Sequence, residues 1–311
     1  MRGVGSAEGG NGAGSPTLLG YPPGTRLVTL TCDEFGESHA STAAVIEAME
    51  AGLGIRPYAV GATVQMPGAW VPQVVQYAVA HPQADIGVHL TIESGLAPMK
   101  MRPLCSRREV PGLHSPQGFF WDTAKDAWAH ASEDEIYTEA RTQLEAALGA
   151  GLDVTHLDGH GNFQGANPAG YCRIAGRLAA EFRLPLRIAP RWRYERQGLT
   201  AHRDGVLARG VIACDDDTNQ GMRPRTEQWK TYYLRRLAAT PPGLTDYYIH
   251  PSLDTAELRG LLGEAPAASR VEQYQLLLHD GDFRTAIQHA AQNGLRFISW
   301  REVRDFQRQQ A

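Results

Sequence analysis

The sequence predicts an α/β protein folded as a single (β/α) barrel domain. Short β-type apolar runs alternate with helical periodicities from Arg26 to Trp300. About eight such units follow one another, as a closed parallel barrel requires. Acids and histidines recur where the apolar runs end, and barrels carry their active sites at that mouth. A length of 311 residues suits one large barrel. No repeat or break in composition divides residues 25–311, so they are read as one domain. Residues 1–24, rich in Gly, Ser, Ala and Asn up to Tyr21-Pro22-Pro23-Gly24, are read as a flexible tail.

Each element has a local reason. Arg26-Leu27-Val28-Thr29-Leu30 is a strand that runs into Thr31-Cys32-Asp33-Glu34-Phe35-Gly36, and a helix follows over His39 to Ala51. Tyr58 to Val64 is the second strand, Trp70 to Ala80 a helix, and Asp85 to Thr91 the third strand. The segment from Glu93 to Thr123 is long and holds Pro and Gly, as mobile or functional loops do. Ser132 with Glu135 three residues on marks a capped helix that runs to Leu148 and stops at Gly149-Ala150-Gly151. Val154 to Asp158 is the fourth strand and Pro168 to Phe182 a helix. Leu184 to Ile188 and Gly210 to Cys214 are the fifth and sixth strands, and Thr226 to Ala239 a helix. Leu244 to His250, closed by Pro251, is the seventh strand. Helices over Thr255–Leu262, Ala268–Leu278 and Phe283–Gln292 precede a last strand, Leu295 to Trp300.

Composition narrows the function. Hydrophobic content of 42% and charged content of 21% are ordinary for a globular chain. A net charge of −4 points to neither nucleic acid nor an acidic membrane as partner. No apolar run is long enough to span a membrane, and no signal-peptide core is present, so a cytoplasmic location is expected. Cys32, Cys105, Cys172 and Cys214 are far apart and read as free thiols, with Cys32 filling the strand end. A homodimer is expected only because symmetric dimers are common.

The polar residues at the strand exits are Asp33, Glu34, His89, His156, Asp158, His160 and His250. Neighbouring strand residues point to opposite faces, so Asp33 and Glu34 should do different jobs, one ligating a metal and the other handling a proton. A carboxylate with two imidazoles is a common hydrolytic metal set. The plain alternatives are that the acids cap the following helix and that His89 is a hydrogen-bonded core residue. His156-Leu157-Asp158-Gly159-His160 is more specific, because it places three polar groups on one face of an otherwise buried strand. Histidines 81, 114, 130, 202, 279 and 289 fall in ordinary helices or loops, and Asp215-Asp216-Asp217 reads as a solvated loop, with a role at the barrel rim as the alternative.

These motifs, in this order, resemble the YdjC-type carbohydrate deacetylases, the ChbG/HpnK-like family. They are Asp33-Glu34-Phe35-Gly36, Gly87-Val88-His89-Leu90, Thr155-His156-Leu157-Asp158-Gly159-His160, His250-Pro251 and a late Arg270-x-Glu272. The resemblance covers roughly residues 26 to 305 and implies a distorted TIM-like barrel. It also implies a divalent metal, Mg or Zn, and removal of N-acetyl groups from amino sugars. By motif match, Glu34, His89 and His160 take the metal-ligand places and Asp33 that of the general base. His250 then protonates the leaving amine or holds the intermediate, while His156 and Asp158 support a ligand histidine. Two departures stand out. Glu34 replaces an Asp, and Gly161-Asn162-Phe163-Gln164 replaces a His-rich run, which points to a substrate other than a chitin disaccharide. Phe119, Phe120 and Trp121 in the long loop either stack on a sugar or pack the loop. A metal-dependent sugar isomerase or epimerase on a similar barrel, and a non-catalytic sugar-binding relic, are the rival readings.

Overall fold

A computed structural model describes residues 15–95, 98–218, 220, 223–224 and 226–310. It is an α/β domain whose parallel strands curl into a half-barrel. The strands are β1 (Arg26–Phe35), β2 (Gly61–Val64), β3 (Ile86–Leu90), β4 (Leu157–Gly159), β5 (Asp216–Asp217), β6 (Gly243–Ile249) and β7 (Leu295–Phe297). Their order is β4-β3-β2-β1-β6-β5, and every pairing is parallel. One edge of β1 pairs with β6 from Arg26↔Gly243 to Cys32↔Ile249. The other edge is shared, β7 taking Arg26 to Val28 and β2 taking Thr31 to Phe35.

The expected fifth and sixth strands are reduced to single parallel bridges, Leu157↔Leu186 and Leu186↔Ala213. Pro185 has no N–H to give to a ladder. The Ile212 N–H is taken by Gln307 Oε1 at 2.6 Å. The last strand stops at Phe297 because Ser299 caps a helix that begins at Trp300. Of the expected tail, residues 1–14 lie outside the described residues, whereas Ser15–Leu18 forms a helical turn and Leu19 is buried. Among the described residues, no helix is long and apolar enough to cross a membrane.

Alternation along β1 divides its side chains. Val28, Leu30 and Cys32 join the large cluster that packs the sheet on its helices. Leu27 falls in a smaller cluster with Leu19, Ile212, Cys214, Leu244, Ile298, Trp300 and Val303. That cluster is an apolar floor. Above it on the same face come Thr29 and Thr31, both bonded to Asp246, and then Asp33. The inner face of the half-barrel is therefore layered, oily below and ionic at the mouth.

Candidate metal and catalytic site

β1 delivers Asp33 and Glu34 at an irregularity in its register, between Cys32 and Phe35. Glu34 has φ +68°, a left-handed backbone that costs a non-glycine residue roughly 1–2 kcal/mol. Strict alternation would send the two carboxylates to opposite faces. The irregular backbone instead brings both to one histidine: His250 Nε2 lies 3.8 Å from Asp33 Oδ2 and 3.9 Å from Glu34 Oε1. Neither acid caps the next helix, because Ser38 does so in a capping box with Ser41.

β3 delivers His89, whose Nδ1 lies 2.6 Å from Asp158 Oδ1 at the exit of β4. His160 follows just after β4, with its ring edge-on to His89 at 5.2 Å. Its Nδ1 is 3.3 Å from Glu34 Oε2. Ligand atoms of Glu34, His89 and His160 all lie within 4.8 Å of one another. His89 Nε2 and His160 Nε2 are buried without a hydrogen-bond partner, and Glu34 Oε2 and His160 Nδ1 have only each other, at 3.3 Å. Buried polar atoms seldom stay unpaired, so converging orphans of this chemistry fit a divalent cation. Asp33, His89 and Asp158 form a second close group, but a cation of the chain already serves it.

That cation is Arg187. Its Nη1 and Nη2 donate to Asp33 Oδ1 at 3.0 Å and Oδ2 at 2.7 Å. The same guanidinium pairs with Asp158 and reaches Asp246 Oδ2 at 3.2 Å. It also lies over the Tyr248 ring at 4.6 Å. Arg270, from the helix Glu264–Leu278, pairs with Glu37 at 2.5 Å and lies 3.6 Å from Glu34 Oε1.

The electrostatics follow from this packing. Burial alone would raise the Asp33 carboxyl, but Arg187, His89 and His250 outweigh it and hold it below the usual range. Burial likewise opposes ionisation of Glu34, and His160 with Arg270 pulls it well down. Burial would lower His89, but Asp158 and Asp33 push it up to about 9. For His250 burial wins over both carboxylates and lowers it to about 4, so its ring is neutral near pH 7. Burial carries Glu37 up to about 7 despite Arg270.

His156 is placed differently from its neighbours. It stacks on Trp300 at 4.8 Å, and its Nδ1 is 3.0 Å from Thr155 Oγ1, so Asp158 rather than His156 holds a candidate ligand histidine. Glu93 ties the long loop to the mouth, accepting from Asn162 N at 2.6 Å and Ala124 N at 2.8 Å. Trp121 stacks on His130 and donates to Gly112 O, and Phe120 is buried, so both pack the loop. Phe119 lies under the Arg102 guanidinium at 4.5 Å. Cys32 faces the large core cluster, and burial pushes its thiol well up. The acidic run is not solvated: Asp215 accepts from Leu244 N, Asp216 pairs with Arg236 and Asp217 with Arg193.

Two cavities meet at the site. One of about 390 Å³ lies on the Asp33 side, lined by Arg187, Arg193 and Tyr248 among others. The other, about 440 Å³, lies on the His160 side with Glu37, Trp229 and Arg270. Glu34 and His250 line both. Reasoning from the sequence missed Arg187, Asp246 and Trp300. The signal for the first two was a lone charge inside an apolar strand run, Leu184-Pro185-Leu186-Arg187-Ile188 and Leu244-Thr245-Asp246-Tyr247.

A family model described as YdjC-like protein matches residues 27–289. The chain is 30% identical over 251 residues to a carbohydrate deacetylase of Thermus thermophilus, covering 76% of this chain and 82% of that one. It is 30% identical over 158 residues to a carbohydrate deacetylase of Brevibacillus brevis, a match to 51% of this chain and only 57% of the relative. A solved structure from Enterococcus faecalis V583, a proposed cellobiose-phosphate cleavage protein, superposes with a TM-score of 0.73 at 21% identity, over 90% of this chain and 99% of that one. The site side chains from Asp33 to Arg270 all fall inside the matched span, and the chain belongs to the YdjC-like protein family.

Proposed function

We propose that this chain is a divalent-metal-dependent hydrolase that removes the N-acetyl group of an amino sugar or a related N-acetylated carbohydrate. One observation carries the reading: Glu34 Oε2, His89 Nε2 and the His160 ring nitrogens converge, buried and with no hydrogen-bond partner outside their own group, beside Asp33. The relatives named carbohydrate deacetylase supply the substrate class. Glu34, His89 and His160 would hold the ion, and two imidazoles in the set favour Zn over Mg. A divalent ion bound there lowers the pKa of a water and polarises an acyl oxygen.

The chain's own residues do the rest. Asp158 fixes the ring of His89 through Nδ1 and leaves Nε2 as the donor. Asp33, held ionised and oriented by the two Arg187 bonds, takes the proton of the attacking water. His250 is neutral at rest and stands 3.8 Å from Asp33. It receives that proton on Nε2 and passes it to the departing amine. The distorted TIM-like barrel brings these groups from separate strands to one mouth.

The test is acetate release from a panel of N-acetyl sugars, before and after chelation and on reloading with Zn or Mg. Acetate that disappears with the ion and returns with it is the expected result. Asp33→Asn should keep the ion and lose roughly 10²–10⁴-fold in kcat. Metal-loaded protein that frees no acetate from any of the sugars would overturn the proposal.

A further inference from the structure

We infer that Trp300 is a positioning residue for this reaction: through Asp246 it fixes the Arg187 guanidinium across Asp33 and Asp158. The inference rests on the hydrolase reading above for what Asp33 does, but its geometry stands apart from that reading. Trp300 is fully buried at the head of the helix Trp300–Gln309, beyond the span matched by the family model. Its indole N–H points up into the barrel, 3.1 Å from Thr31 Oγ1 and 3.2 Å from Asp246 Oδ1. Thr29 and Thr31 donate to the same Asp246 oxygen at 2.6 and 2.8 Å.

One carboxylate oxygen thus faces three donors, and the carboxylate cannot turn. Its other oxygen is left facing Arg187 Nη1 at 3.2 Å. Arg187 lies among three carboxylates, Asp33, Asp158 and Asp246, and each attracts it. Where the guanidinium rests therefore depends on where Asp246 is held. If Asp246 swings, Arg187 moves with it and the paired bonds to Asp33 are disturbed.

Trp300 is itself clamped. Its backbone N–H donates to Asp85 Oδ2 at 2.7 Å, and Ser299 with Glu302 caps its helix. Its ring lies flat on His156, with 15° between the planes. His156 is itself closely held, since a Cβ on Gly87 would sit 2.5 Å from that imidazole. A purely apolar plug among Leu27, Leu244, Ile298 and Val303 would need an aromatic ring here but no N–H.

Trp300→Phe separates the two roles, because it keeps a ring on His156 and removes the donor. Three measurements are made on the Zn-loaded full chain: kcat and KM for acetate release, thermal unfolding, and nitrogen-15 NMR of the Arg187 guanidinium, assigned with Arg187→Lys. We expect kcat to fall roughly tenfold with KM unchanged, the scale on which outer partners act. The separate Nη–H signals of a pinned Arg187 should merge in the variant. Unchanged Arg187 signals in folded Trp300→Phe overturn the inference, whether or not kcat falls. Merged signals in a protein whose wild type frees no acetate keep the positioning role and remove the hydrolase reading. If Trp300→Phe does not fold, Thr31→Val removes a donor to Asp246 and an acceptor for the indole, and the same readouts decide.

Discussion

The two walls of the half-barrel are built differently. On one wall β1 to β4 pair side by side in parallel, with a single break in register at Asp33-Glu34, and present Asp33, Glu34, His89, Asp158 and His160. On the opposite wall the segments around Leu186 and Ala213 touch their neighbours through single bridges, and what they contribute is the cation Arg187. The ion proposed above would tolerate errors of only a few tenths of an ångström in its donors, and the paired backbone that carries His89 and His160 supplies that accuracy. A guanidinium on a long stem finds its carboxylates by its own fork geometry, so a loosely paired wall suffices. The regular wall is thus suited to chemistry and the irregular one to charge balance.

That contrast breaks most visibly at Arg187. Arg187→Met would leave Asp33, Asp158 and Asp246 buried together with only the His89 imidazolium as counter-ion, and we expect a loss of about 3–5 kcal/mol in urea unfolding. A wild-type urea midpoint would show that the irregular wall carries no charge balance at all. His160→Ala should do the reverse. Metal affinity should fall by more than the roughly 10–100-fold that outer partners are worth, while metal-free stability should fall far less than in Arg187→Met. Metal titration and unfolding on the same samples check both halves.

A smaller effect comes from below β3. Burial pushes Asp85 up to about 6, only partly offset by bonds from Thr155 and the Trp300 backbone. Its folded form therefore holds a proton that the unfolded chain, titrating near 4, gives up. Stability from this group is present at low pH and is lost as pH rises from about 4 to about 6, a swing of at most about 3 kcal/mol. Asp85→Asn removes the swing, so melting temperatures of variant and wild type should diverge across that window and run parallel above it. The smallest change lies outside both walls. Ser132→Ala opens the capping box with Glu135 and should cost about 1 kcal/mol without altering acetate release.

The near wall was legible because its chemistry is contiguous. Asp33-Glu34, Gly87-Val88-His89 and His156-Leu157-Asp158-Gly159-His160 each place polar groups at a strand exit within a few residues. What the spacing could not carry was the backbone departure at Glu34, since a left-handed φ on a glutamate contradicts local preference. His156 was expected to support a ligand histidine beside Asp158, yet it stacks on the floor, while His160 meets Glu34. The far wall was hidden because Arg187 and Asp246 are single charges whose partners, from Asp158 to Thr29, lie far from them in sequence, up to 217 residues away. Asp215 to Asp217 misled for the opposite reason: three adjacent acids suggest solvent, but each has its own partner.

The shared edge of β1 has a consequence for the order of folding. Its upper half can pair with β2 after a loop of some thirty residues, as Thr31↔Gly61 shows. Its lower half waits for β7, with Arg26 pairing with Leu295. Until residues 295–300 arrive, the lower edge of β1 is open and no indole closes the floor beneath Asp246. Distant pairings of this kind close slowly, and an uncovered strand edge invites pairing with other chains. The ionic network at the mouth is thus assembled from both ends of the fold, and it is complete only when the last turn of sheet and the head of the final helix have docked.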